Sequence, residues 1–265
     1  MSNEYPVTSV MKVADGSSVK IEYHKMLYST AELAKKYASE GYPDRYVVFT
    51  DAQATSRLTG TKLGDGELER GVFISCLLRP SFFPAQTGLI GHLTAISVVQ
   101  ALDEHTTKEL GLGWVTDIYC EGVRIGGCSI EGKLNSKSSY EYLIVTIGLR
   151  LDKESFPPRL TDMIKKVFEE DNTSLTMIIA KSILNKLFST YSNLRHPGKH
   201  MDAYCRRFLL SGRRLKVNLG DKKQYCKVLR VDKSSGTLFV ENKRGETVEI
   251  KSPSMVSMPK KIKLK

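Results

Sequence analysis

The residues of this chain best suited to chemistry fall in four short stretches. A polar loop from Asp51 to Arg70 carries Gln53 and then Arg57, Gly60 and Lys62, two cations set around a glycine, with hydroxyls at Thr55, Ser56, Thr59 and Thr61. Such a loop suits an anion, because backbone N–H groups and cations together neutralise charge on phosphate oxygens. Ser29-Thr30 stands just before an amphipathic stretch, where its hydroxyls either cap a helix or meet a ligand. A third stretch, Gly113 to Glu131, holds Trp114, Asp117, Arg124 and the pair Gly126-Gly127. Arg124 offers an anion a planar fork of donors, and Asp117 reads either as a ligand contact or as an aspartate flanking a turn. Glycine inside a strand marks a bulge or a close approach to the backbone, which is how Gly126 and Gly127 read. Gly148 and Arg150 form the fourth group, the latter placing a cation near the end of an apolar strand.

Other chemistries are poorly supplied. The five cysteines, Cys76, Cys120, Cys128, Cys205 and Cys226, are odd in number, scattered and set in apolar segments, so they read as reduced core thiols. His196 and His200 lie four apart but flank Pro197-Gly198, which breaks any shared helical face; no metal site is expected. No apolar run is long enough for a bilayer and the N-terminus lacks the pattern of a secretory signal, so the expectation is a cytoplasmic protein without a membrane partner. The formal net charge of +11 is uneven: from Arg213 onward 15 Lys and Arg face 5 Asp and Glu, leaving about +1 for the first 212 residues. A basic C-terminal fifth suits nucleic acid or an acidic partner, or is a solvated surface. Tyr225 and Phe239 are its possible stacking residues, but no row of exposed aromatics is legible, so nucleic acid is not the expected partner.

The elements that must position these residues follow from periodicity. Ile21–Leu27, Tyr46–Thr50 and Gly71–Arg79 read as strands, and Ala31, Leu33, Ala34, Tyr37 and Ala38 recur at helical spacing. Gln86–His105 reads as a long buried helix. The third stretch is a hairpin turning at Cys120-Glu121-Gly122, and Tyr140–Leu151 is apolar on both faces and therefore a central strand. Helices are expected near Leu160–Glu170, Leu175–Ser192 and His200–Leu210. Beyond Ser211-Gly212 short strands alternate with turns at even spacing, Leu215–Leu219, Tyr225–Val231, Thr237–Glu241 and Thr247–Lys251, the pattern of a small β-barrel, with a frayed Lys260–Lys265 end. The expected fold class is α+β, a mixed sheet with helices over residues 1–211 followed by a barrel over 212–265.

The hairpin resembles that of biotin protein ligases, K-W-P-N-D-[LI]-Y, a turn, then K-[LIV]-[AG]-G-[IV]-L-[VI]-E. Trp114, Asp117, Ile118 and Tyr119 match its first half, and Gly126, Gly127 and Ile130 its second. The two family lysines fall on Gly113 and Arg124, and the proline and asparagine on Val115 and Thr116. The family's Gln followed by G-R-G-R-x-G-R-x-W is similar to Gln53 followed by Thr55–Leu63, where Gly60 is in place and the arginine positions are Ser56, Leu58 and Thr61. Its D-S-T-N resembles Tyr28-Ser29-Thr30-Ala31, and its I-G-[IV]-N-[VL] resembles Ile147-Gly148-Leu149-Arg150-Leu151.

The resemblance covers nearly the whole chain and implies a biotin/lipoate ligase-type domain with an SH3-like barrel. There is no room before Ile21 for the DNA-binding helix-turn-helix of some members. By family, the reaction forms biotinyl-5′-AMP from biotin and ATP with Mg2+ and passes biotin to a lysine of a biotin carrier protein domain, with a homodimer as a possible assembly. Implied ligand-binding residues are Ser29, Thr30, Gln53, Arg57, Gly60, Lys62, Trp114, Asp117, Gly126, Gly127, Gly148 and Arg150, with Arg124 at the catalytic lysine position. The charge-stabilising positions are replaced together, so weak or lost activity is expected, since each such group contributes a few kcal/mol in a transition state. The alternatives are a non-catalytic ligand- or partner-binding relative, and a binder of nucleic acid or an acidic partner through the basic barrel.

Overall fold

The structure is a computed structural model and describes residues 6–54, 58, 68–81, 88–150, 175–194, 196–220 and 222–264. The expected helix near Leu160–Glu170 and the loop cations Arg57 and Lys62 with Gly60 lie outside these residues. The described elements run β1 (Val7–Lys12), β2 (Ser18–His24), α1 (Thr30–Ser39), β3 (Tyr46–Gln53), β4 (Glu69–Leu78) and α2 (Ile90–Leu102). They continue through β5 (Leu110–Leu112), β6 (Ile118–Cys120), β7 (Val123–Leu134), β8 (Tyr140–Arg150), α3 (Leu175–Ser192) and α4 (Gly198–Arg207). The C-terminal strands are β9 (Arg214–Leu219), β10 (Lys222–Val231), β11 (Leu238–Glu241), β12 (Thr247–Ile250) and β13 (Val256–Ser257).

Eight strands form one sheet in the order β1-β2-β3-β4-β8-β7-β6-β5, antiparallel except for the parallel pair β2 and β3. That parallel pair needs a crossover, and α1 supplies it. Side chains alternate across the sheet and build two apolar layers. Val47, Phe49, Ile74, Cys76, Val145, Ile147 and Leu149 face α2 and α3 in the larger core, whereas Val48, Leu77 and Ile144 face Ala34 and Ala38 of α1 in the smaller one. β8 therefore buries both faces, as its unbroken apolar run predicts. Glu22 ties the far end of α1 to the sheet by accepting from Tyr37 Oη at 2.6 Å and from Tyr46 Oη.

The smaller helix layer leaves part of its sheet face uncovered. On that face β7 presents Gly127, Ser129 and Glu131, and β8 presents Thr146 and Gly148, with Gly127 paired to Gly148 and Ser129 to Thr146. Ser75 of β4 lies opposite Thr146 on its other side. Small residues in register across three strands make a shallow floor rather than a packed layer, and the candidate site stands on it.

The hairpin turn is tight, with φ of 47° at Glu121 and 78° at Gly122, the two positive values of a two-residue type I′ connection. The β6–β7 register then shifts, Ile118 pairing Gly126 while Tyr119 pairs Arg124, so the expected irregularity near the glycines is a bulge at Ile125. Gly126 is fixed by crowding, since a Cβ there would lie 2.1 Å from the Gly148 carbonyl oxygen.

The C-terminal strands form a second, antiparallel sheet in the order β12-β11-β10-β9-β13, the last of these strands being one the sequence pattern does not announce. β1 is likewise unannounced, because most of its residues are exposed, among them Val7 and Val10, and no apolar alternation marks it. The expected fraying of Lys260–Lys265 is overturned through Leu264. Arg124 N donates to the Lys260 carbonyl at 3.0 Å, Ile262 N to the Gly122 carbonyl at 2.7 Å, and the Ile262 side chain is buried in the larger core. This segment extends the hairpin edge as a short antiparallel bridge, Val123 to Lys261, whose backbone bonds and apolar anchor outweigh the mutual repulsion of its lysines.

Candidate functional site

A cleft of about 760 Å³ opens between the start of α1 and the floor of small residues, lined by Tyr28, Ser29, Thr30, Lys35, Gln53, Leu58, Ser129, Glu131 and Thr146 among others. Its base is a buried hydroxyl chain. Gln53 Oε1 accepts from the Thr30 amide at 3.1 Å and from Thr30 Oγ1 at 3.4 Å. Ser75 Oγ donates to Thr30 Oγ1 at 3.0 Å and lies 3.0 Å from Thr146 Oγ1, so the Thr146 hydroxyl completes the chain by donating to Ser75. Buried polar groups satisfied in this way hold one geometry. They make a floor that is polar, neutral and rigid, suited to a small ligand bearing amide-like groups.

The two hydroxyl residues at the start of α1 divide their roles. Ser29 is the N-cap, its side chain accepting from the Glu32 amide at 3.3 Å, while Thr30 turns inward to Gln53. At the cleft rim Lys35 pairs with Glu131 at 2.7 Å and with Glu32 at 3.6 Å, one cation between two carboxylates beside the opening. Sequence reasoning misses Lys35, Ser75, Ser129, Glu131 and Thr146. A serine or threonine on a strand carries no individual signal until strand register places several of them side by side.

Beyond Gly127 the floor ends in an ion pair. Arg124 Nε and Nη2 both reach Asp117 Oδ1, at 2.6 and 2.5 Å. A Cβ on Gly127 would lie 3.5 Å from that carboxylate oxygen, 3.6 Å from Arg124 Nη2 and only 3.0 Å from the Thr116 carbonyl, so the glycine makes room for the pair. Burial pushes the Asp117 carboxyl above its ordinary range, and the Arg124 guanidinium pulls against that shift. Arg150 Nη2 donates to the Arg124 carbonyl at 3.4 Å, bringing the second cation to the same end. The 113–117 segment that carries Asp117 is held from several sides. Gly113 N donates to the Asp117 carbonyl at 2.8 Å, Thr116 Oγ1 to the Cys128 carbonyl at 2.7 Å, and Tyr204 Oη lies 2.9 Å from the carbonyls of both Gly113 and Val115.

Trp114 does not line the cleft. It is buried, and its indole N–H donates to the Gly236 carbonyl at 2.9 Å, so it joins the two sheets. Gly126 also points away from the floor, toward Leu149. Ser29, Thr30 and Gln53 thus gather with Gly127 and Gly148 around one floor, and Asp117, Arg124 and Arg150 gather at its end. Gly113 is packed: a Cβ there would meet Met258 Cε at 2.5 Å and the Tyr119 ring at 3.0 Å. All five cysteines are free and four are buried, in keeping with reduced thiols. Among the described residues no three His, Cys, Asp or Glu side chains converge as a metal cage, and no helix is long and apolar enough to cross a membrane.

Comparison with known proteins gives this geometry a lineage. No family model matches the chain. It is 27% identical over 143 residues to the bifunctional ligase/repressor BirA of Bacillus subtilis, a match covering 53% of this chain and 44% of that protein. The chain thus aligns with less than half the length of the curated relatives it matches. Among solved structures, biotin protein ligase from Aquifex aeolicus superposes with a TM-score of 0.63 at 20% identity, covering 89% of this chain and 96% of that one. The same enzyme in complex with biotin and ATP gives 0.61 at 22% identity, over 89% and 97% of the two chains. A biotin protein ligase-like protein of unknown function from a Silicibacter species gives 0.64 at 13% identity, over 91% and 97%. The mixed sheet with its helices and the curled C-terminal sheet are the biotin protein ligase fold, and over about half its length the chain is similar in sequence to a ligase of that fold.

Proposed function

We propose that this protein binds biotin, or a closely similar carboxylic acid, in the cleft over Thr30, Gln53, Ser129 and Thr146, and that its ligase chemistry is weak or lost. In that reading residues 1–211 form the ligase-type domain and 212–265 the barrel. The observation that carries it is the Asp117–Arg124 pair. Attack of a carboxylate on the α-phosphate of ATP builds negative charge on phosphate oxygens, and the site must meet it with free, oriented cations. Arg124, at the family's lysine position, spends Nε and Nη2 on one carboxylate oxygen at 2.6 and 2.5 Å. A guanidinium so held has its charge offset by Asp117 and its remaining N–H groups fixed in one plane, so it meets a ligand carboxylate and a phosphate less well than a compact, rotatable ammonium does. Gly113, at the other lysine position, offers no charge at all.

What the residues still do is bind and orient. The hydroxyl chain fixes Thr30 and Gln53, the small floor gives depth, and Lys35 at the rim is held by Glu131 and Glu32. ATP with Mg2+, if it enters, would lie at the Arg150 end of the floor, with Arg124 held on Asp117, and a lysine of a biotin carrier domain would be the acceptor for any transfer. Calorimetry with biotin, ATP and synthetic biotinyl-5′-AMP, followed by a carrier biotinylation assay, tests this. Biotin binding with carrier labelling far below that of an ordinary ligase is expected. Turnover at an ordinary ligase rate would refute the attenuated chemistry, and failure of all three ligands to bind would refute the cleft assignment.

A further inference from the structure

Strand register shows what the charge count of the C-terminal fifth leaves open, namely which cations share a surface. Along β9 the exposed residues Arg214 and Lys216 alternate with buried Leu215 and Val217, and along β10 Lys223, Tyr225 and Lys227 are exposed around buried Cys226. The pairing places Lys227 opposite Arg214 and Tyr225 opposite Lys216. After the bulge between Val228 and Arg230, Arg230 rejoins the same face and lies over the Phe239 ring at 4.1 Å.

The result is one outer face with Lys223, Tyr225, Lys227 and Arg230 in a row about 20 Å long, flanked by Lys216 and Arg214. Tyr225 stands at its centre with 57% of its surface exposed. Among the described residues no carboxylate forms an ion pair with Arg214, Lys216, Lys223 or Lys227, although Glu241 is the β11 partner of Lys227 and Arg230 reaches Asp232 at 3.3 Å. Like charges opposite one another, as at Arg214 and Lys227, weaken a strand pair, so the sheet itself gains nothing from this arrangement.

From this face we infer a binding surface for single-stranded nucleic acid on the outer side of β9 and β10. Lysine is depleted in specific protein–protein interfaces but abundant where phosphates are met, which favours nucleic acid over an acidic polypeptide. An exposed tyrosine among cations, beside a guanidinium plane already stacked on phenylalanine, offers π-faces to unstacked bases. Among the described residues no helix projects from this sheet surface to enter a groove, so the single strand is the form that fits. This surface is independent of the cleft and of any ligase reading.

The test uses the full chain and fluorescein-labelled 20-nucleotide oligo-dT and oligo-U in anisotropy titrations, with an equal-length duplex, polyglutamate and phosphatidylserine vesicles as comparators. Four unpaired cations predict a log–log salt slope of about −2.8, so affinity falls about 50-fold between 50 and 200 mM salt. Tyr225→Ala weakens binding about tenfold, Tyr225→Phe retains it, and the Lys216→Glu/Lys227→Glu variant abolishes it. The tyrosine pair keeps the test decisive if the charge-reversed variant fails to fold. The inference is overturned if no oligonucleotide binds at 50 mM salt, if binding ignores all these variants, or if duplex, polyglutamate or vesicles bind more tightly than the single strand.

Discussion

If the Asp117–Arg124 pair is a structural lock rather than a phosphate clamp, cutting it should cost stability and leave nucleotide affinity nearly unchanged. The two side chains are 13% and 20% exposed, so the pair is mostly but not wholly desolvated. At an effective dielectric of about 20 and a charge separation near 4 Å the attraction is roughly 4 kcal/mol, and desolvation offsets part of it. Asp117→Asn leaves the guanidinium without its counter-charge and is expected to cost about 2–3 kcal/mol. That corresponds to a fall in Tm of roughly 4–12 °C for a chain of this size. Arg124→Gln strands the carboxylate and should cost a similar amount. The double variant should cost less than the sum by about 2 kcal/mol, read as a coupling energy from urea titrations. In calorimetry, Arg124→Gln should change ATP affinity by less than about threefold, whereas loss of a direct charge-assisted phosphate contact would weaken it by tenfold or more. Additive single effects would refute the lock, and a large loss of ATP affinity on Arg124→Gln would refute the attenuated-chemistry reading.

Three further outcomes are expected. His92 is buried against Tyr204 and the Gly236 turn, and among the described residues its ring nitrogens make no hydrogen bond of good geometry; burial holds its pKa down at about 4. The unfolded chain therefore takes up this proton first and stability falls as pH drops from about 6.5 toward 4, by roughly 2 kcal/mol between pH 7.5 and 5.0. Urea titrations of His92→Phe should show that much less acid sensitivity than the parent. Ile262→Ala removes the anchor of the C-terminal segment and should cost about 2–3 kcal/mol, seen in thermal melts, whereas an unchanged Tm would mean the segment is not docked. Ser129→Leu fills the cleft floor and should weaken biotin binding at least tenfold by calorimetry, while leaving Tm within a few degrees.

Much of the architecture was legible because it rests on periodicity. The apolar run at Tyr140–Leu151 can only be a strand buried on both faces, and Leu175–Ser192 repeats at helical spacing over its whole length. The site was legible only where a residue has a local signature, as Ser29 has for capping or Gly126 for crowding. Trp114 shows the limit. Its match to the family's hairpin implies a ligand contact, but its donor finds the Gly236 carbonyl, 122 positions along the chain. The floor residues show the same limit from the other side, because Ser75, Ser129 and Thr146 become a set only through register. The C-terminal lysines read as frayed because charge dominates their composition, yet a single Ile262 decides their place.

The same segment bears on why the hairpin lacks its lysines. Met258 lies where a side chain on Gly113 would begin, Tyr119 Oη donates to the Pro259 carbonyl at 2.6 Å, and the Lys260 carbonyl accepts from the Arg124 amide. The stretch after β13 therefore touches both positions where the family carries a lysine, crowding one with the Met258 methyl and fixing the backbone of the other. A lysine at 113 would have to move the Met258 methyl aside before it could reach a ligand, and a lysine at 124 would lack the planar pair of nitrogens with which Arg124 grips Asp117 Oδ1. The missing charges are thus built into the packing between the two sheets. A lysine placed at 113 is therefore expected to perturb the C-terminal segment as well as the hairpin, because the two share one set of contacts.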